Sequence, residues 1–133
     1  MTNGRQAAKD PQAESWAVLA ARVADDKKAV DPVVLYVGDL LAVTEAFVIT
    51  SATNTRHVKT IVDEIESQIK ELGGPSPRRV EGLAEARWVL MDYGDFVVHV
   101  FLDETREFYD LERLWADAPQ LEWALGAGAV SAR

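Results

Sequence analysis

Apolar positions along the chain follow two periods, and the switches between them mark the elements. Between positions 13 and 29, Trp16, Leu19, Ala20 and Val23 recur at helical spacing. They predict a first helix that Asp31-Pro32 ends, because the residue before proline is pushed to extended backbone. Pro11 is read as a stop to anything earlier. Positions 33–37 form a short apolar strand, Gly38-Asp39 a turn, and 40–43 a brief strand or an approach to the next one. Positions 46–50 are apolar almost throughout, which predicts an interior strand. The polar loop 51–55 offers Thr53, Asn54 or Thr55 as the cap of the next helix. In that helix, 56–72, Val58, Ile61, Val62, Ile65, Ile69 and Leu72 make one apolar stripe, and Gly73-Gly74-Pro75 stops it. Positions 76–81 read as a polar edge strand, and 82–86 as a loop.

A hairpin follows. Positions 88–91 and 96–101 are aromatic and β-branched runs around Asp92-Tyr93-Gly94-Asp95, where Gly94 supplies the positive φ and Asp92 bonds the turn backbone. Both runs are apolar on both faces, so two central strands covered above and below are expected. A short helix over 108–115 then places Phe108, Leu111 and Trp115 on one face, with Tyr109 elsewhere and Leu114 near the seam. Two turns cannot bury five large groups against one sheet. Phe108 and Leu111 are expected to close the core, and Tyr109, Leu114 and part of Trp115 to stay exposed. The fold class is α+β: a mixed four- or five-stranded sheet flanked by helices, with a strand–helix–strand crossover that makes part of the sheet parallel. One domain is expected over 13–118, between a disordered segment 1–12 and a flexible tail 119–133.

Composition narrows the chemistry. The 133 residues include no cysteine, which excludes disulfides, thiolate metal sites and a cysteine nucleophile. No apolar run approaches the ~20 residues of a membrane helix, and the first ten residues lack the apolar core of a secretory signal, so a cytoplasmic, bacterial protein is expected. The net charge is −8, and positions 92–122 hold nine acids against Arg106 and Arg113. Such a region repels a phosphate backbone and attracts a basic surface, although a charge run alone is more often a solvated face. There is no Gly-x-x-x-x-Gly-Lys, no Gly-x-Gly-x-x-Gly and no Gly-x-Ser-x-Gly. His57 begins a helix, where it binds an anion or lies at the surface; His99 sits mid-strand as a core or interface histidine with a satisfied N–H. Asp92 and Asp95 flank a tight turn and stabilise it; a two-metal clamp needs converging carboxylates, and no Asp-x-Asp occurs. No catalytic residue, metal ligand or cofactor is expected. Large apolar anchors rimmed by acids describe instead a docking patch for a basic protein.

The same residues resemble the Iojap-like family, the ribosomal silencing factors. The likeness rests on Trp88 through Phe101, with Asp92-Tyr93-Gly94-Asp95 and Val97-Val98-His99-Val100, then Arg106-x-Phe108-Tyr109-x-Leu111-Glu112-x-Leu114-Trp115. Thr44 to Ile49, Asn54-Thr55-Arg56-His57-Val58 and Glu81-Gly82 agree, and the resemblance covers 32–119. It implies a cytosolic homodimer whose fold is similar to nucleotidyltransferases but lacks their catalytic carboxylates. It also implies a translational repressor that binds the large ribosomal subunit through its ribosomal protein fourteen, blocks joining of the small subunit, and lowers synthesis under nutrient limitation. No sequence-specific nucleic acid binding and no membrane contact are implied. Trp88, Asp92, Tyr93, Asp95, Tyr109, Asp110, Leu111, Glu112, Leu114 and Trp115 are the expected region of ribosomal contact, with His99 and the outer strands as an alternative dimer contact. The other readings are a large-subunit assembly factor without a joining block, and a degenerate nucleotidyltransferase that binds nucleotide with metal. The chain departs from the family pattern at Tyr36 and Glu45, where aspartate is usual, and at Ala52, where glycine is usual. No role is carried onto Tyr36 or Glu45, and Ala52 implies either a loop without positive φ or a strained one.

Overall fold

The structure is a computed structural model that describes residues 11–124. The expectations for 1–10 and 125–133 lie outside the described residues. Helix α1 spans Pro11–Asp26, strand β1 Val30–Tyr36, β2 Ala46–Ala52, helix α2 Thr55–Glu71, β3 Arg79–Glu81, β4 Trp88–Asp92, β5 Phe96–Leu102, helix α3 Asp103–Tyr109 and helix α4 Leu111–Leu114. The sheet has five strands in the order β1-β2-β5-β4-β3. The pair β2–β5 is parallel and the other pairs are antiparallel. The expected crossover is therefore present, but β2 finds its parallel partner in β5, two strands later than the next one in sequence.

Local chemistry explains most boundaries. Pro11 opens α1, since the N–H that proline lacks is one the first turn leaves unpaired anyway. The helix ends at Asp26, and the turn that follows carries Lys28 at φ 68, before the Asp31-Pro32 signal is reached. β1 then begins early, at Val30, through a register shift between Val30 and Val33 with Asp31 at φ 40. Positions 40–43 form a loop with Leu40 and Val43 exposed, not a strand. β2 is buried at all seven positions and runs on through Ser51 and Ala52. Ala52 takes strand backbone, so the chain needs no positive φ there.

Asn54 caps α2, its Oδ1 accepting the backbone N–H of His57 at 2.8 Å. Asn54→Ala is expected to cost about 1 kcal/mol, read as a lowered urea midpoint with unchanged slope. His57 is half-buried and does not lie free at the surface. Its Nε2 donates to the Lys27 carbonyl at 2.6 Å and ties the start of α2 to the end of α1. Of the predicted stripe, Val58, Ile61, Val62, Ile65 and Ile69 are buried, while Leu72 caps the helix and is exposed.

Alternation along the strands gives the sheet two unlike faces. Val34, Val48, Val98, Val100, Val89 and Met91 lie with Tyr93 and Phe96 under α1 and α2, where Ala17, Ala20, Ala21 and Ala24 let α1 approach closely. Leu35, Phe47, Ile49 and Phe101 point to the other face. Past Ala118 the described chain lies along the outer edge of β1, contrary to a tail that begins at 119. The Pro119 carbonyl accepts from the Tyr36 N–H, and the Leu121 N–H donates to the Val34 carbonyl, each at 2.8 Å. Arg22 Nε donates to the Trp123 carbonyl at 2.6 Å, and Leu121 and Trp123 pack on the helix-side core.

Candidate protein-docking face

The second face of the sheet is aromatic and only partly covered. Register aligns Trp88 with Phe101, Leu90 with His99 and Ile49, and Asp92 with Val97 and Phe47. β4 alternates half-buried and buried, so it is not covered on both sides as its apolar sequence suggested. Leu111, Trp115 and Ala118 cover the part over β1 and β2, with Trp115 edge-on to Phe47 at 5.5 Å between ring centres. Over β4 and β5, Trp88, Leu90, Asp92 and Val97 stay half-exposed.

The helix expected over 108–115 is two helices. α3 runs to Tyr109, and Asp110 at φ 49 breaks it before α4 begins. The break reverses one expectation. Phe108, placed in the core by its spacing to Leu111 and Trp115, is 79% exposed, because the spacing holds only for an unbroken helix. Tyr109 and Leu114 are exposed as expected, at 51% and 72%, and Trp115 is part-buried on Phe47. Tyr109 packs on Trp88 at 4.8 Å between ring centres, and Phe108 stands edge-on to Tyr109 at 5.0 Å. The Phe108–Tyr109–Trp88 row lines a cleft of about 740 Å³ together with Gly82 and Glu104. Gly82 has no free choice of residue: its φ is +84, and a Cβ there would meet the Trp88 carbonyl oxygen at 2.1 Å.

The turn residues are placed differently. Asp92 Oδ1 accepts the Gly94 N–H at 2.8 Å, and Oδ2 pairs with Arg79 at 3.2 Å, so this carboxylate stabilises the hairpin as expected. Asp95 is exposed at the same turn. Both lie at the end of β4 and β5 opposite to Trp88, about 13 Å along the strand. Tyr93 does not join the others. It is buried on the helix side, stacked on Phe96 at 4.4 Å, and burial together with the Glu66 carboxylate raises its hydroxyl pKa well above the usual value. The structure thus places Trp88 and Tyr109 together at one end of β4 and β5 and Asp92 and Asp95 at the other, while Leu111 and Trp115 lie over β1 and β2, Trp115 on Phe47 in the same row as Asp92.

His99 lies within the second face, edge-on to Phe47 at 4.8 Å. Its Nδ1 accepts from Trp88 Nε1 at 3.1 Å, which puts the proton of the neutral ring on Nε2. Nε2 is buried without a partner among the described residues, so the N–H expected to be satisfied is not. Burial lowers the pKa to about 4 and keeps the ring neutral. Among the described residues no group of three or more histidine, aspartate or glutamate side chains is arranged to hold a metal ion, and no helix is long and apolar enough to cross a membrane. Sequence reasoning misses Glu104 and Leu90, and it sees Gly82 only as part of the Glu81-Gly82 motif.

The fold is an α+β domain with one helix-covered sheet face and one aromatic face that is only partly covered. Residues 10–131 match the family described as "Ribosomal silencing factor during starvation", and the chain belongs to that family. It is 41% identical over 108 residues to Ribosomal silencing factor RsfS of Bacillus subtilis, a match covering 81% of this chain and 91% of that protein. It is 37% identical over 91 residues to mouse Mitochondrial assembly of ribosomal large subunit protein 1, covering 67% of this chain and 40% of that one. A crystal structure of a Chromobacterium violaceum protein superposes with a TM-score of 0.74 at 30% identity, covering 87% of this chain and 95% of that one.

Proposed function

We propose that this chain is a cytoplasmic, non-enzymatic repressor of translation that docks on the large ribosomal subunit through ribosomal protein fourteen and keeps the small subunit from joining. The observation that carries the reading is the exposed apolar row Phe108, Tyr109 and Leu114 within the segment 92–122, which holds nine acids and two bases. Exposed aromatics supply anchors, and acids steer and orient a basic partner such as a ribosomal protein. Family membership and the relative named as a silencing factor support the ribosomal partner. Residues 13–118 are the docking unit, and Trp88, Tyr109, Asp110, Leu111, Glu112, Leu114 and Trp115 are its contact residues. Asp92 and Asp95 belong to the rim, and Tyr93 supports the turn from beneath. We read the fold as nucleotidyltransferase-like without the catalytic carboxylates, and the protein as a homodimer in its free state.

The test is co-sedimentation of the purified protein with large subunits at low salt, with and without excess small subunits. Travel with the large subunit and a loss of joined particles is the expected result; a protein that stays at the top of the gradient sinks the proposal. Tyr109→Ala is expected to weaken binding by about 2 kcal/mol, roughly thirtyfold. A folded variant with unchanged affinity removes Tyr109 from the contact. The name of the mouse relative favours one second reading, a large-subunit assembly factor. In that case the protein binds but joining proceeds.

A further inference from the structure

Arg106 stands on α3 in a cleft of about 1080 Å³ between the start of β1 and α3–α4. Its guanidinium has five N–H groups, and each has an acceptor. Nε and Nη2 donate to the two carboxylate oxygens of Glu112 at 3.4 and 2.7 Å. Nη2 also donates to the Asp31 carbonyl at 2.8 Å, and Nη1 donates to the Val30 carbonyl at 2.8 Å and to Ser51 Oγ at 3.1 Å. The side chain is largely buried, at 12% exposure; its bonds to Glu112 and Ser51 are part-buried, and those to the Val30 and Asp31 carbonyls are exposed. They join three pieces of chain: the irregular start of β1, the end of β2, and α4 beyond the break at Asp110. Two of those pieces hold strained backbone, Asp31 at φ 40 and Asp110 at φ 49.

The helices that Arg106 joins have little else to fix them. α3 has seven residues and α4 four, and neither contains a fully buried side chain. Helices so short do not persist on their own hydrogen bonds. Leu111 and Trp115 rest on the sheet, but Phe108, Tyr109 and Leu114 project outward, and their relative placement depends on the angle across Asp110. We infer that Arg106 and Glu112 are positioning residues of the docking face: their bidentate pair fixes α4 to α3 across the break, and the remaining Arg106 bonds fix both to β1 and β2, so that Phe108, Tyr109 and Leu114 are held as one preformed surface. The inference rests on the docking reading above. A preformed surface loses less freedom on binding, so Arg106 contributes to affinity without touching the partner. Lysine cannot substitute for the arginine, because its three donors on one nitrogen do not span acceptors on three sides.

The experiment has two arms on the full chain, with Arg106→Gln, Arg106→Lys and Glu112→Gln. The first is amide hydrogen exchange of the free protein. All three variants are expected to lose protection over 103–115 while α2 and β5 keep theirs. The second is large-subunit affinity at a temperature where each variant is folded. Arg106→Gln and Arg106→Lys are expected to bind about tenfold more weakly or worse, with the double change Arg106→Gln, Glu112→Gln no weaker than the single one. Unchanged exchange over 103–115, or an affinity loss no larger than the unfolded fraction explains, overturns the inference. Should Arg106→Gln fail to fold, Glu112→Gln decides, since it leaves the bonds to Val30, Asp31 and Ser51 in place. If the unaltered protein does not bind large subunits, the docking reading alone fails, and the exchange arm still decides whether Arg106 holds α3 to α4.

Discussion

Phe101→Ala is expected to destabilise the chain by about 3–5 kcal/mol, the cost of emptying a well-packed aromatic site. Phe101 is fully buried although it lies on the less covered face. It pairs with Ser51 of β2 on one side and Trp88 of β4 on the other, with its ring 4.8 Å from Trp88 and 6.2 Å from His99. The lost ring leaves a cavity that strand backbones cannot collapse to fill. Only the half-exposed Trp88 is able to move inward, and that motion would pull Tyr109 with it through their 4.8 Å contact. The variant should therefore also bind its partner more weakly than its folded fraction explains. Urea unfolding measures the first effect. A loss below about 1 kcal/mol would mean that the second face is not packed as a core, and the account of the aromatic row would fall with it.

A second large effect is pH-dependent. His99 titrates near 6.5 in an unfolded chain and at about 4 when folded, because burial penalises the charged ring. The unfolded state therefore binds the proton first. Stability from this group is complete above the unfolded value and is lost as the pH falls from about 6.5 through about 4, on the order of 3 kcal/mol in all. His99→Phe keeps a ring among Phe47, Trp88 and Phe101 and removes the titration. It leaves Trp88 Nε1 without its acceptor, but that cost does not vary with pH. Unfolding free energies of both proteins between about pH 7.5 and 5 make the comparison, a range in which ordinary carboxylates stay largely ionised. Parallel curves would show that His99 is hydrated in the native state and that its ring is not excluded from water.

The sequence made the helix side of the molecule legible and the second face only in outline. The α2 stripe from Val58 to Ile69, the buried positions 46–50 of β2 and the Gly94 turn each follow from a local rule that tertiary contacts do not contradict. Phe108 is misplaced by its spacing because its face depends on an unbroken helix, and the break at Asp110 is stabilised by Arg106 and Glu112 working across it. Nothing in Asp110 itself announces a left-handed backbone; aspartate tolerates it but does not require it. The place of Tyr93 in a turn suggests the surface, whereas the strand direction on either side sends its ring under the helices. The run 119–121 reads as irregular because edge pairing along β1 uses backbone groups, which leave no mark on side-chain pattern.

The parallel pair at the middle of the sheet has a consequence during synthesis. Ala46 pairs with Phe96, and so on to Ala52 with Leu102, so each bond spans a constant fifty residues. Such a pairing rewards the chain only after a long loop has closed. On a ribosome that adds about 5–20 residues per second, β2 waits roughly 3–10 s for β5 to follow it. Through that interval every one of its seven side chains belongs to a core not yet built. α1, β1 and α2 are already made or in the making, and their contacts with β2 cover one face and one edge. The nascent chain thus carries its own partial shield, and the edge left open is the one that β5 fills last.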